Sequence, residues 1–203
     1  MVRPLTAILG VLRRPQTGAD RDPRLLARLR SEARNRLSLG LFGTPVISLA
    51  RRATVTSWGQ RIYLTPYLPP SPRQTARLPA RLRGVTVVHQ ASVAFYPLSS
   101  GEAIPAVIEA GRAWAGESSQ GPRHPADRFV FLFPDGVAKV AVWNMVGAPH
   151  SPSVLVSVHG NVAAFQSRTF HSPGHEVWYG PTGTIVKRIA DASSCGPPLG
   201  NCG

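Results

Sequence analysis

Three histidines make the only cluster in this sequence whose side chains could bind a metal or carry out acid–base chemistry. His159 follows a valine-rich run, and His171 and His175 bracket Ser172-Pro-Gly174 with Glu176 next along the chain. Neutral imidazoles and a carboxylate are ligands for zinc or a similar divalent ion, so a His-based metal-dependent hydrolase is one function they allow. The Pro-Gly pair works against it, because it prevents the helical i, i+4 spacing that would aim both rings at one point. Loop histidines in solvent are the plainer account.

A second group is cationic. Arg73, Arg77, Arg81 and Arg83 follow the proline-rich Leu68-Pro-Pro-Ser-Pro72. Guanidinium forks suit phosphate and carboxylate, which makes these four the anion-binding candidates. Their spacing is irregular and the stretch is broken by proline, as in a solvated loop. Gly180-Pro-Thr-Gly-Thr-Ile-Val-Lys187 has the look of a phosphate loop, but its lysine does not follow the second glycine directly. A strand, not a helix, is expected after it, so it reads as a turn. The nucleophile elbow G-x-S-x-G, the zinc motif H-E-x-x-H and the dinucleotide motif G-x-G-x-x-G do not occur. Acids are sparse beyond residue 90 and none forms a close pair, which disfavours glycosidase chemistry. No motif implies a cofactor.

Charge divides the chain. Of the 21 arginines, sixteen lie in residues 1–90 against only Asp20, Asp22 and Glu32, whereas the rest of the chain carries no net charge. Such asymmetry suits an anionic partner for the first half: nucleic acid, lipid headgroups or an acidic polymer. The arginines are not interleaved with aromatics as a base-stacking platform requires, and no nucleic-acid fold signature is present. Solubility alone also accounts for such charge. Cys195 and Cys202 enclose Gly-Pro-Pro-Leu-Gly-Asn, a loop short enough to close as a local disulfide in an exported protein; two free thiols on a tail are the alternative.

The elements that must position these groups are mostly strands. Phe129-Val-Phe-Leu-Phe133 meets Pro134-Asp135-Gly136 before Val137-Ala-Lys-Val-Ala-Val-Trp143. Val154-Leu-Val-Ser-Val158 meets His159-Gly160-Asn161 before Val162-Ala-Ala-Phe165. Val177-Trp-Tyr179 meets a Gly-Pro-Thr-Gly turn before Thr184-Ile-Val-Lys-Arg-Ile189. β-branched and aromatic runs around Asp-Gly and Gly-Asn predict three hairpins. In the first run phenylalanines fall on one face and Val130 and Leu132 on the other, so both faces need a cover. A further hairpin is expected around Ser57-Trp-Gly-Gln60, extended chain at residues 46–49 and a strand at 84–89. Asp22-Pro23 opens an amphipathic helix with Leu26, Leu29, Ala33 and Leu37 as its stripe and Gly40 as its end. The spacing of Ile104, Val107, Ile108 and Trp114 predicts a mid-chain helix up to Gly116. The fold class is therefore α+β: mainly antiparallel β-sheet built of hairpins, with an N-terminal amphipathic helix and one mid-chain helix.

The 203 residues divide into a segment 1–21, one α+β domain at 22–190, and a tail at 191–203. The domain has a basic half (22–90) and a neutral hairpin half (127–190). Residues 5–12 (Leu-Thr-Ala-Ile-Leu-Gly-Val-Leu) read as the remnant of a signal or anchor, or as a short buried strand or helix. No window reaches the ~18 apolar residues of a membrane-spanning helix.

Several stretches carry a likeness. Val11-Leu-Arg-Arg-Pro-Gln16 with Ala19-Asp-Arg-Asp22, Trp58-Gly-Gln-Arg-Ile-Tyr-Leu64, Phe133-Pro-Asp-Gly-Val137, Val158-His-Gly-Asn-Val162 and Trp178-Tyr-Gly-Pro-Thr-Gly183 together resemble an uncharacterised group of actinobacterial envelope proteins, membrane-anchored or secreted. The resemblance implies a membrane segment just before the Leu-Arg-Arg-Pro stretch, a β-rich part outside the cytoplasm, and no assignable catalytic residues. The expectation is a non-catalytic extracytoplasmic binding or structural module. A polyanion binder acting through the Arg-rich half and a metal-dependent hydrolase stand as alternatives, with a cytoplasmic location as the alternative compartment.

Overall fold

The structure, a computed structural model, describes residues 3–79, 92–96, 102–117, 126–144, 154–170 and 173–190. Among these, antiparallel sheets of five, three and four strands combine with five short α-helices, so the protein is α+β and mainly β. Sheet A contains β1 (Thr44–Pro45), β2 (Arg51–Val55), β3 (Arg61–Leu68), β4 (Ser92–Tyr96) and β5 (Glu102–Ala103), with β3 at its centre. Sheet B places β7 (Asp127–Leu132) between β6 (Trp114–Glu117) and β10 (Val162–Ser167). Sheet C runs β12 (Ile185–Ile189), β11 (Pro173–Tyr179), β8 (Lys139–Asn144), β9 (Val154–Ser157).

Alternation along the strands stacks these sheets. On β3, Tyr63 and Tyr67 share one face, and there Leu25 and Leu29 of α2 (Pro23–Glu32) pack on them. Ile62 and Leu64 point the other way, into a core shared with Val130 and Leu132 of β7 and Val162 of β10. The opposite face of β7 carries Phe129, Phe131 and, just beyond the strand, Phe133. These rings pack with Phe165, Phe170 and, from sheet C, Val140, Val142 and Trp178. The layers are thus α2, sheet A, sheet B, sheet C, and the two covers demanded by β7 are two different sheets. Phe133 meets Trp178 edge-on at 5.3 Å between ring centres, and Phe129 meets Phe170 likewise at 4.8 Å. Each fully buried ring contributes roughly 2–3 kcal/mol by area alone.

Residues 5–12 lie inside this stack. Helix α1 (Arg3–Ile8) and a 3-10 turn at Gly10–Leu12 bury Leu5, Leu9, Val11 and Leu12 in the core between sheets A and B. No helix among the described residues is long and apolar enough to cross a membrane.

Several expectations need correction. The amphipathic helix breaks in two: α2 ends at Glu32, and Asn35 caps a separate α3 (Arg36–Leu41) by accepting from the Leu37 and Ser38 amides. The mid-chain helix is only α5 (Pro105–Glu109). Gly111, at φ +74°, ends it, and a side chain there would press on Trp178 and Ile189. Trp114 then belongs to a strand, opposite Phe131. Residues 47–49 form a 3-10 turn where extended chain is expected. The turn at 180–183 and the one at 57–60 close hairpins as expected. The Asp-Gly and Gly-Asn turns, however, join strands of different sheets. β7 has β6 and β10 on its two edges and no edge left for β8, so each of these turns carries the chain across between sheets B and C. The strand expected at 84–89 lies outside the described residues.

Candidate functional site

Of the anion-binding candidates, Arg73 lies in the helix α4 (Pro72–Ala76) and Arg77 caps its end; both are exposed. Ser71 and Gln74 form a reciprocal capping box there, so the expected loop is a helical turn. Arg81 and Arg83 lie outside the described residues, as do His171, Cys195 and Cys202. His159 is exposed at the crossing turn between β9 and β10, its backbone bonded to Val162. His175 sits on the outer face of sheet C, stacked on Trp143 with ring centres 4.2 Å apart. Among the described residues, no three His, Cys, Asp or Glu side chains gather as a metal-holding group.

Most described carboxylates hold elements together. Asp20 is fully buried and takes both arms of the Arg14 guanidinium, at 2.8 and 2.6 Å, along with the Thr17 and Arg52 amides. Burial pushes the Asp20 carboxyl up, but these donors outweigh it and hold the group well below the usual carboxylate range. Arg51, also buried, spends its donors on the carbonyls of Arg14, Ser48 and Ala50. Asp22 caps α2 and meets Tyr63 and Arg61, while Glu32 accepts from Tyr67 at 2.6 Å and from Arg28. These bonds fasten α2 to sheet A.

Glu176 differs. It is 1% exposed on the inner face of sheet C, opposite Val142 and Ile189. One carboxyl oxygen accepts from the Trp178 indole at 2.6 Å; the other has no partner among the described residues. Burial among apolar side chains pushes its pKa up to about 7, against the lowering effect of the indole bond. It does not line the open site on the other face of the sheet.

The outer face of the same sheet offers an open site. Here side chains of alternating size stand in rows across the strands: Ser157, Lys139 and Tyr179 in one, Leu155, Ala141 and Val177 in the next. The small Ala141 leaves a hollow of about 370 Å³, with Leu155 and Tyr179 as walls and Lys139 at the rim. The 180–183 turn forms its end, held by a Gly180 amide to Thr184 carbonyl bond of 2.8 Å, with Gly183 at φ +80°. Leu155, 56% exposed, is the most exposed large apolar side chain among the described residues. An apolar floor with one cation at the rim can take an apolar group that carries an anion. The sequence signal for this site was the alternation of Lys139, Ala141 and Trp143, whose outward direction only the sheet order reveals. Compared with known proteins, the chain matches no protein family, no curated protein and no solved structure.

Proposed function

We propose that the protein is a non-catalytic binding module acting outside the cytoplasm, with the hollow on sheet C as its ligand site. The observation that carries this is an exposed apolar depression, floored by Ala141 and walled by Leu155 and Tyr179, with Lys139 at its edge. A ligand with a flat or extended apolar body and one anionic group fits that chemistry. The resemblance of the Leu-Arg-Arg-Pro and turn motifs supports the compartment, as does the spacing of Cys195 and Cys202.

Titration with anilinonaphthalene sulfonate, a flat apolar anion, tests the site by fluorescence. Saturable binding is expected, blocked by Ala141→Leu, which fills the hollow, weakened by Lys139→Gln and untouched by Phe42→Ser. Binding that survives Ala141→Leu unchanged would remove the hollow from consideration. Recovery of the native protein in the cytoplasmic fraction with reduced thiols would sink the compartment.

A further inference from the structure

We propose that the corner formed by α3, α4 and the adjoining ends of β1 and β3 docks on an anionic lipid bilayer. The corner is a packed unit. Gly40 of α3 lies against Leu78 and the Gln74 carbonyl, and a side chain at Gly43 would strike the Leu68 carbonyl. Thr44 pairs with Leu68, and Gln74 donates to the Thr44 hydroxyl.

Two properties coincide there. Arg34, Arg36, Arg73 and Arg77 are exposed, as is Arg30 in the adjoining last turn of α2, and none joins an ion pair among the described residues. Residues 21–79 carry eleven arginines but only two acids, Asp22 and Glu32. Glu32 is paired with Arg28 and Asp22 with Arg61, so among the described residues neither acid pairs with the arginines of the corner. In the same place Leu37, Phe42 and Leu68 are 44%, 42% and 37% exposed, three of the seven most exposed large apolar side chains among the described residues. A basic surface studded with Leu and Phe fits an anionic interface, where the cations meet headgroups and the apolar side chains enter the acyl boundary. A nucleic acid would match the charge, but it has nothing to accept Leu37 and Leu68, and Phe42 alone is not the series of aromatics on which successive bases stack. The corner lies at the edge of sheet A beside α2, with sheet B between sheet A and the sheet that carries the hollow, so the two sites are independent.

Co-sedimentation of the full chain with vesicles tests this. Binding is expected to phosphatidylglycerol-containing vesicles and not to pure phosphatidylcholine, with steep weakening at high salt. Arg34→Gln, Arg36→Gln, Arg73→Gln and Arg77→Gln should each weaken it by about fivefold, the value of one cation near such a surface. Phe42→Ser should weaken it at every salt concentration. Arg168→Gln, just beyond β10, and Arg188→Gln, in β12, should leave it unchanged. These positions are exposed, and circular dichroism of each variant confirms that it is folded. Absence of binding at low salt overturns the proposal, as does binding that all six arginine variants weaken equally. Tighter binding to double-stranded DNA, indifferent to Phe42→Ser, also overturns it and assigns the corner to nucleic acid.

Discussion

The Asn161 side chain donates a hydrogen bond of 2.9 Å to Asp135, joining the two turns by which the chain crosses between sheets B and C. Asn161 also donates to the Phe133 carbonyl and accepts from the Val11 amide. Asp135 accepts from the Gly10 amide and pairs with Arg13 at 2.6 Å. Gly160 sits so close to Ala53 of β2 that any side chain would meet that residue's carbonyl. One junction therefore gathers the N-terminal segment, both crossing turns and sheet A.

Removing Asn161 should open that junction. Asn161→Ala leaves the Val11 amide and the Phe133 carbonyl without their partner, at about 1–3 kcal/mol for each buried group. Asn161 also adopts φ +67°, the only non-glycine residue with positive φ among those described. Asn161→Gly should therefore be milder than Asn161→Ala by about 1 kcal/mol, because glycine takes that backbone without strain. Urea denaturation of both variants measures the order; equal losses would mean that the backbone is not strained.

Asp20 should prove the costliest carboxylate to lose. Asp20→Ala takes the acceptor from the Thr17 and Arg52 amides and the ion-pair partner from the part-exposed Arg14, a loss of about 1–3 kcal/mol for each buried group left without its partner. Arg14→Lys should also destabilise, since a single ammonium cannot reproduce the two-armed bond. Thermal unfolding of the two variants decides this. A change within experimental error would show that the surrounding loop relaxes around the lost group.

Two carboxylates should shape the pH dependence in opposite senses. Glu176 keeps its proton in the folded protein up to about pH 7 but ordinarily loses it near 4.5. Its contribution is complete below about pH 4.5 and is lost as pH rises through 7, for a total of roughly 2–3 kcal/mol. Asp20 works the other way: its contribution is present above the ordinary aspartate value of 3.8 and is lost as pH falls. Unfolding free energy measured against pH should decline on both sides of a mildly acidic maximum. Glu176→Gln keeps an acceptor for Trp178 and should flatten only the alkaline limb. If that limb persists in the variant, Glu176 is not its cause.

The strands between residues 127 and 189 were legible from the sequence because β-branched and aromatic runs between glycine-rich turns leave few other options; β4, β5 and β6 were not. Phe129, Val130, Phe131 and Leu132 even announced that β7 is covered twice. The partners of those strands were not legible. An Asp-Gly turn has the same local chemistry whether the next strand lies beside the last or crosses to another sheet, and here β6 and β10 already occupy both edges of β7. Trp114 fitted a helical spacing, yet Gly111 ended the helix first. Of the histidines, His159 belongs to a crossing turn and His175 to an aromatic stack, while His171 lies outside the described residues. The alternation of Lys139, Ala141 and Trp143 did not by itself reveal the hollow on sheet C, because the hollow depends on three strands bringing Leu155, Ala141 and Tyr179 side by side. Three stretches far apart in the sequence are neighbours in the fold: Val11, Phe133 and Asp135, and Asn161 meet in one junction.

The double burial of β7 has a consequence for how this chain tolerates change. In a sheet with one wet face, polarity tells a strand which way up to lie, and a shift by one position exposes oil to water. β7 has no wet face, so its two sides are distinguished by volume: benzyl groups toward sheet C, branched aliphatics toward sheet A. A misaligned β7 would remain dry but would fit neither neighbour. Alignment is therefore recorded in molecular size, and an exchange such as Val130 for a phenylalanine, harmless to hydropathy, would erase part of that record.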